Sequence, residues 1–197
     1  MRNVLLAGVG GQGTVLAAKV LAQAAQDKGW HVRTAETIGM AQRGGNVVSH
    51  VRMGDQGEEV FAPLVAQGTA DLVIAFEPAE AARVLPYLSS DGVMVTAVTA
   101  IQPVTAALGK HPYRADDVVD GIARSLAGTQ ARLIAVDDAA LTEAAGGRKV
   151  LNTLLLASAL NTNCIPISLD DLRRAVRACV KPRFVDLNLA AIDVAAR

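Results

Sequence analysis

The sequence predicts an α/β fold of Rossmann-like type: a mostly parallel open sheet with helices on both faces and a helical C-terminal section. Three observations carry this expectation. Short apolar runs alternate with stretches of helical periodicity, a glycine-rich loop joins the first run to the first helical stretch, and residues 149–195 read as helices with no strand between them. A chain of 197 residues that is 51% hydrophobic suits one domain, 1–197, with its own core.

The elements follow in order. Val4 to Ala7 is a continuous apolar run closed by Gly8, the pattern of a strand buried on both faces. Met1 to Leu6 resembles the start of a signal peptide, but the glycine loop cuts the apolar run short, so it reads as a strand of a cytoplasmic protein. From Thr14 to Lys28, Val15, Ala18, Leu21, Ala22 and Ala25 recur at helical spacing, and Gly29 stands where a helix ends. His31 to Thr34 makes a second strand. Asn46 to Met53 alternates, with Val47, Ser49, Val51 and Met53 on a packed face and Asn46, Val48, His50 and Arg52 on a polar one. The turn residues 54–57 then suggest that Glu59 to Phe61 pairs back as a hairpin.

Asp71 to Phe76 is a buried-strand pattern, Pro78 to Leu88 a helix with proline in its first turn, and Gly92 to Val98 a further strand. Between Gln102 and Asp117 the periodicity fades around Pro103, Gly109 and Pro112, which marks an irregular loop. A helix over Asp117 to Leu126, a strand over Arg132 to Val136 and a helix over Ala139 to Ala145 resume the alternation. Helices over Lys149 to Asn161, Leu169 to Val180 and Phe184 to Ala195 close the chain, the second opened by a capping box of Ser168 and Asp171.

Composition excludes several classes of function. Lysines and arginines number 19 and aspartates and glutamates 19, so no global field draws nucleic acid or an acidic membrane. The apolar stretch from Val150 to Leu160 is broken by Asn152, Thr153 and Ser158 and is too short to span a bilayer. Cys164 and Cys179 are the whole cysteine complement, too few for the four thiolates of an iron–sulfur centre, and they read as buried thiols. No metal ligands and no catalytic constellation are expected on this chain.

The chemistry sits in two glycine-rich segments. Gly8, Gly10 and Gly13 satisfy G-x-G-x-x-G between a strand and a helix, with Gly11 adding clearance and Gln12 a hydrogen-bonding amide. Missing β-carbons permit a tight turn, and helix amides can meet a phosphate. Close strand–helix packing explains the same glycines without a ligand. Glu36 lies near the place of the acid that holds a dinucleotide ribose, which leaves a stand-alone NAD-binding dehydrogenase open. It opens Glu36-Thr37-Ile38-Gly39-Met40-Ala41-Gln42-Arg43-Gly44-Gly45, richer in glycine and arginine than a ribose turn. Arg43 either binds phosphate or carboxylate or pairs with Glu36. His50 reads as a satisfied structural histidine, Asn152 either as an amide bridging to neighbouring backbone or a subunit or, by default, as a locally satisfied one, and Arg148 and Lys149 as solvated charges rather than a phosphate clamp. A nucleotide-binding scaffold module also fits these residues.

Gly8-Val9-Gly10-Gly11-Gln12-Gly13 together with Glu36 to Gly45 and Val47-Val48-Ser49-His50-Val51-Arg52 resembles the gamma-type subunit or domain of 2-oxoacid:ferredoxin oxidoreductases. Within that family Met40-Ala41-Gln42-Arg43-Gly44-Gly45 is most similar to the beta subunit of the indolepyruvate enzymes. The resemblance implies a complex that decarboxylates a 2-oxoacid, indolepyruvate or another aryl pyruvate, on thiamine diphosphate. Electrons pass through iron–sulfur clusters to ferredoxin, and the acyl group goes to coenzyme A. It places thiamine diphosphate, magnesium and clusters on a larger partner subunit. The cofactor contacts expected of this chain, to coenzyme A, are Gly8, Gly10, Gly11, Gln12, Gly13, Glu36, Gln42, Arg43, Gly44 and Gly45.

Overall fold

The computed structural model describes residues 1–39, 45–101 and 113–196. The run Val4 to Ala7 forms the wholly buried middle of strand β1 (Arg2–Val9). Its side chains alternate between two cores, Val4 and Leu6 entering one and Leu5 and Ala7 the other. This is what a strand covered on both faces requires. Beside it the chain lays down β2 (His31–Ile38), β3 (Asn46–Gly54), β4 (Ala70–Ala75), β5 (Leu88–Ala97) and β6 (Arg132–Val136) in a six-stranded sheet of order β2-β3-β1-β4-β5-β6. The β1–β4, β4–β5 and β5–β6 pairs are parallel, and β3 runs antiparallel to both its neighbours.

Helix α1 (Thr14–Gln26) packs its buried stripe of Ala17, Ala18, Leu21 and Ala25 on one face of the sheet. Helix α5 (Leu151–Leu160) is buried on nearly every side, as a helix this rich in leucine and alanine must be, with only Ser158 outside the buried set. It lies against β4 and β5 with α6 (Leu169–Cys179) and α7 (Val185–Ala195) completing that layer. On the opposite face α2 (Pro78–Val84) contributes Ala81 and Val84, and α3 (Ala115–Leu126) contributes Ile122. Helix α4 (Asp138–Ala144) follows β6 directly. Ser168 and Asp171 form the predicted capping box: the Ser168 hydroxyl accepts from the Asp171 N–H at 3.1 Å and the Asp171 carboxylate from the Ser168 N–H at 2.8 Å. Among the described residues no helix is long and apolar enough to cross a membrane.

The structure departs from the sequence reading in several places, and β5 for one begins at Leu88 rather than Gly92. β3 is buried on both faces, because it lies inside the sheet and residues 60–65 cover the face that holds Val48 and His50. For the same reason Glu59 to Phe61 is not a hairpin strand. Its neighbourhood is held by side chains instead, with Arg33 donating to the Val60 carbonyl at 3.3 Å and Arg52 to the Ala62 carbonyl at 2.8 Å. Helix α2 gives way to a 3-10 turn over Leu85–Tyr87, since Pro86 has no N–H to continue the α pattern. β2 runs on to Ile38, so Glu36 lies within the strand.

Candidate functional site

Strand direction collects the site at one edge of the sheet. The carboxyl ends of β1, β4, β5 and β6 share that edge with the beginning of β3, because β3 is reversed and pairs Val9 with Asn46. The two glycine-rich segments therefore meet: the Gly10 N–H donates to the Gly45 carbonyl at 2.9 Å. Gln42, Arg43 and Gly44, with the proposed Arg43–Glu36 pair, lie outside the described residues.

Each glycine of the first loop has its own physical reason. A β-carbon on Gly8 would stand 2.8 Å from Gln12 Oε1, 2.9 Å from Thr14 Oγ1 and 3.1 Å from Phe76 Cβ, so this position serves close packing. Gly11 and Gly13 adopt φ of 99° and 83°, the left-handed region that disfavours side chains. At Gly13 a β-carbon would also meet Asn152 Nδ2 at 3.0 Å, whereas at Gly11 it would meet nothing. Gln12 is the lock of the loop. Its Oε1 accepts from the Val9 N–H at 2.7 Å, its Nε2 donates to the Phe76 carbonyl at 2.8 Å, and its own N–H reaches Val9 O at 3.1 Å. The Gln12 side chain thus ties β1 to the end of β4, and the open surface of the loop belongs to Gly10 and Gly11.

Two buried carboxylates that the sequence reading did not single out brace the same edge. Glu77, 2% exposed at the end of β4, caps α2 through the Glu80 N–H, accepts from the Ile101 N–H at 3.4 Å and binds the Tyr113 hydroxyl at 2.7 Å. Burial and this carboxylate push the Tyr113 hydroxyl pKa above the ordinary tyrosine range. Asp138, 1% exposed after β6, accepts from the Val98 and Thr99 N–H groups at 3.0 and 2.8 Å. It also holds Arg148 at 3.3 Å, so Arg148 is an ion-pair partner rather than the solvated charge expected of it. The signal available for both acids was position, an acidic residue between a strand end and a helix start.

Asn152 sits almost wholly buried in the first turn of α5, its Nδ2 at 3.5 Å from the Gly13 carbonyl, so it bridges to neighbouring backbone as one of its readings held. A cavity of about 270 Å³ opens beside it, lined by Gly11, Gln12, Gly13, Arg148 and Lys149 among others. His50 is buried, accepts from the Val65 N–H at 3.1 Å and has its pKa lowered by burial, as a satisfied structural histidine should. Cys164 and Cys179 are half-buried rather than fully so, and burial pushes both thiols up. No group of three or more metal-ligating side chains comes together among the described residues.

Glu36 decides against a simple dinucleotide site. In such a site the ribose-binding acid ends the strand next to the one that leads into the glycine loop. Here antiparallel β3 occupies that place, and Glu36 pairs with Ser49 on the far side of it, roughly 10 Å from β1 at two strand spacings. Its side chain lines a separate groove with Lys19 and Gln23 of α1.

Comparison with known proteins agrees with this geometry. The sequence pattern of the pyruvate ferredoxin/flavodoxin oxidoreductase family matches residues 3–197. The chain is 38% identical over 194 residues to an indolepyruvate oxidoreductase subunit IorB of Archaeoglobus fulgidus, covering 98% of this chain and 92% of that one. It is 34% identical over 192 residues to the protein of the same name from Pyrococcus horikoshii, covering 98% and 93%. Among solved structures, the gamma subunit of a keto/oxoacid ferredoxin oxidoreductase from Geobacter sulfurreducens superimposes with a TM-score of 0.70 at 20% identity, covering 99% of this chain and 96% of that one. A 2-oxoglutarate:ferredoxin oxidoreductase from Magnetococcus marinus, solved with coenzyme A bound, contains the same fold in 30% of its chain, with a TM-score of 0.68 at 16% identity over 99% of this one. Alike in sequence nearly end to end and alike in fold, the chain belongs to the pyruvate ferredoxin/flavodoxin oxidoreductase family.

Proposed function

We propose that this chain is the small subunit of a thiamine diphosphate-dependent 2-oxoacid:ferredoxin oxidoreductase that converts indolepyruvate or another aryl pyruvate to acyl-CoA, CO2 and reduced ferredoxin. The observation that carries the reading is the match to indolepyruvate oxidoreductase subunits over 98% of the chain at 34–38% identity. Thiamine diphosphate with magnesium supplies the decarboxylation chemistry, and both belong to a larger partner subunit.

The donor set of this chain does not fit an iron–sulfur cluster, since two cysteines cannot supply four thiolates. Electron transfer to ferredoxin therefore also belongs to the partner. What this chain offers is a preorganised edge. Gln12 fixes the glycine loop, Gly10 joins it to Gly45, and Glu77 and Asp138 hold the segment after β5. Such an edge suits contact with coenzyme A through Gly8, Gly10, Gly11, Gly13 and Gly45, with Gln12 keeping the loop in shape. Gln42, Arg43, Gly44 and Glu36 remain proposed contacts on the same grounds of resemblance.

Co-expression with the large subunit and assay of the purified complex tests the reading. Ferredoxin reduction should require both subunits, coenzyme A and a 2-oxoacid, with aryl pyruvates used faster than pyruvate or 2-oxoglutarate. Full activity of the large subunit alone would sink the proposal.

A further inference from the structure

We propose that the free edge of β2 is a self-association surface, on which β2 of a second copy of this chain pairs antiparallel about a two-fold axis at Ala35 to make one continuous sheet. Such pairing is independent of which reaction the chain serves.

The edge is built to accept a strand. β2 closes one end of the sheet, and no strand lies beyond it among the described residues. Native edges are usually kept short or broken by proline, lysine or a bulge. β2 has eight residues, neither proline nor lysine, and an unbroken register with β3 from His31 to Ile38. One bond fixes the direction of its backbone groups. The Gly39 N–H donates to the Asn46 carbonyl at 2.8 Å, and this pair continues the β2–β3 register, so the odd-numbered residues of β2 exchange their bonds with β3. The N–H and C=O groups of Val32, Thr34, Glu36 and Ile38 therefore point away from the sheet.

The residues of the strand are complementary to a copy of themselves. A two-fold axis normal to the sheet keeps each side chain on its own face, so even-numbered residues oppose even-numbered ones. The registers nearest the strand midpoint are centred on Thr34, Ala35 and Glu36. Centring on Thr34 sets Val32 against the Glu36 carboxylate and leaves Ile38 unpaired, and centring on Glu36 sets that carboxylate against its own copy. Centring on Ala35 opposes Thr34 to Glu36 and Val32 to Ile38 in both directions, which engages all four outward residues.

This register also suits both faces. Ile38, 68% exposed in the single chain, gains Val32 of the copy as an apolar neighbour. They meet over the groove of about 370 Å³ between β2 and α1, whose charged lining is one lysine, Lys19, and one carboxylate, Glu36, so two copies meet there without net charge. On the other face Arg33 opposes Thr37, and its guanidinium is already bound to the Val60 carbonyl. Ala35 is small where the opposed Cα atoms of a non-hydrogen-bonded pair approach to about 4.5 Å.

The test is sedimentation-velocity ultracentrifugation of the full chain over a concentration series, with cysteine cross-linking to fix the register. A reversible dimer is expected. Thr34→Pro removes an outward N–H from each copy without touching the β3 ladder and should weaken the dimer about tenfold or more. Ile38→Lys, at an exposed side chain, should weaken it as well, both variants keeping the far-UV circular dichroism of the parent. Ala35→Cys should give a disulfide-linked dimer under mild oxidation. Thr37→Cys, whose two copies the same register holds far apart, should not, nor should the parent chain with Cys164 and Cys179 alone. A monomer at every concentration, an unchanged dimer in both Thr34→Pro and Ile38→Lys, or equal cross-linking of Ala35→Cys and Thr37→Cys overturns the proposal. Loss of the Ala35→Cys cross-link when the large subunit is bound assigns the edge to that subunit and overturns it too.

Discussion

At the scale of single residues, glycines with the same motif role have different physical duties. Gly11 and Gly13 both lie in the left-handed region, but only Gly13 faces a buried neighbour, Asn152. Gly11→Ala should therefore lose about 1 kcal/mol from backbone strain alone. Gly13→Ala adds the displacement of Asn152 and should lose about 2 kcal/mol or more, read as a lower midpoint in urea unfolding. Equal midpoints would mean that α5 yields freely to the new methyl group. Gln12 shows the converse. A residue that sequence reasoning places against a ligand has both ends of its amide engaged by Val9 and Phe76, so its contribution to binding runs through the shape of the loop.

At the scale of elements, β3 is the informative case. Its alternation looked like a strand with one wet face, and the dry reality follows from its position between β2 and β1 beneath residues 60–65. His50 records that burial. Its pKa is lowered from 6.5 in the fold, where Nδ1 accepts from the Val65 N–H, so the folded state binds a proton less readily than the unfolded state. The contribution of the neutral ring to stability is thus complete above about pH 6.5 and falls as pH drops below it, because the unfolded chain is protonated first. Melting temperature measured from pH 7.5 to 5 should decline more steeply in the wild-type chain than in His50→Gln, whose amide can still accept from Val65. Parallel curves would show that His50 titrates as freely in the fold as outside it.

At the scale of the whole molecule, the C-terminal helices are part of the core. Leu172, Ala175 and Val176 of α6 and Ile192 of α7 are wholly buried, and α6 packs on α1. Burial of Leu172, Val176 and Ile192 alone contributes about 1.5–3 kcal/mol each. That sum is comparable with the ~5–15 kcal/mol net stability of a folded domain. A chain ending at Ile167 should show no cooperative unfolding transition by circular dichroism, and a sharp transition would make the C-terminal helices an appendage.

The α/β class, the strand–loop–helix opening, the Ser168 cap and the largely apolar α5 were legible in the sequence, since each depends on neighbours a few residues apart. Family membership was legible too, because the two glycine segments are contiguous strings. Strand order was not. Only the folded sheet shows β3 inserted between β1 and β2, which takes Glu36 away from the glycine loop. The same holds for Asp138 behind Arg148 and for Asn152 against Gly13, the latter pair separated by 139 residues. Local spacing along the chain specifies which elements form. The burial and the long-range contacts that give those residues a role arise only when distant segments share one edge of the sheet.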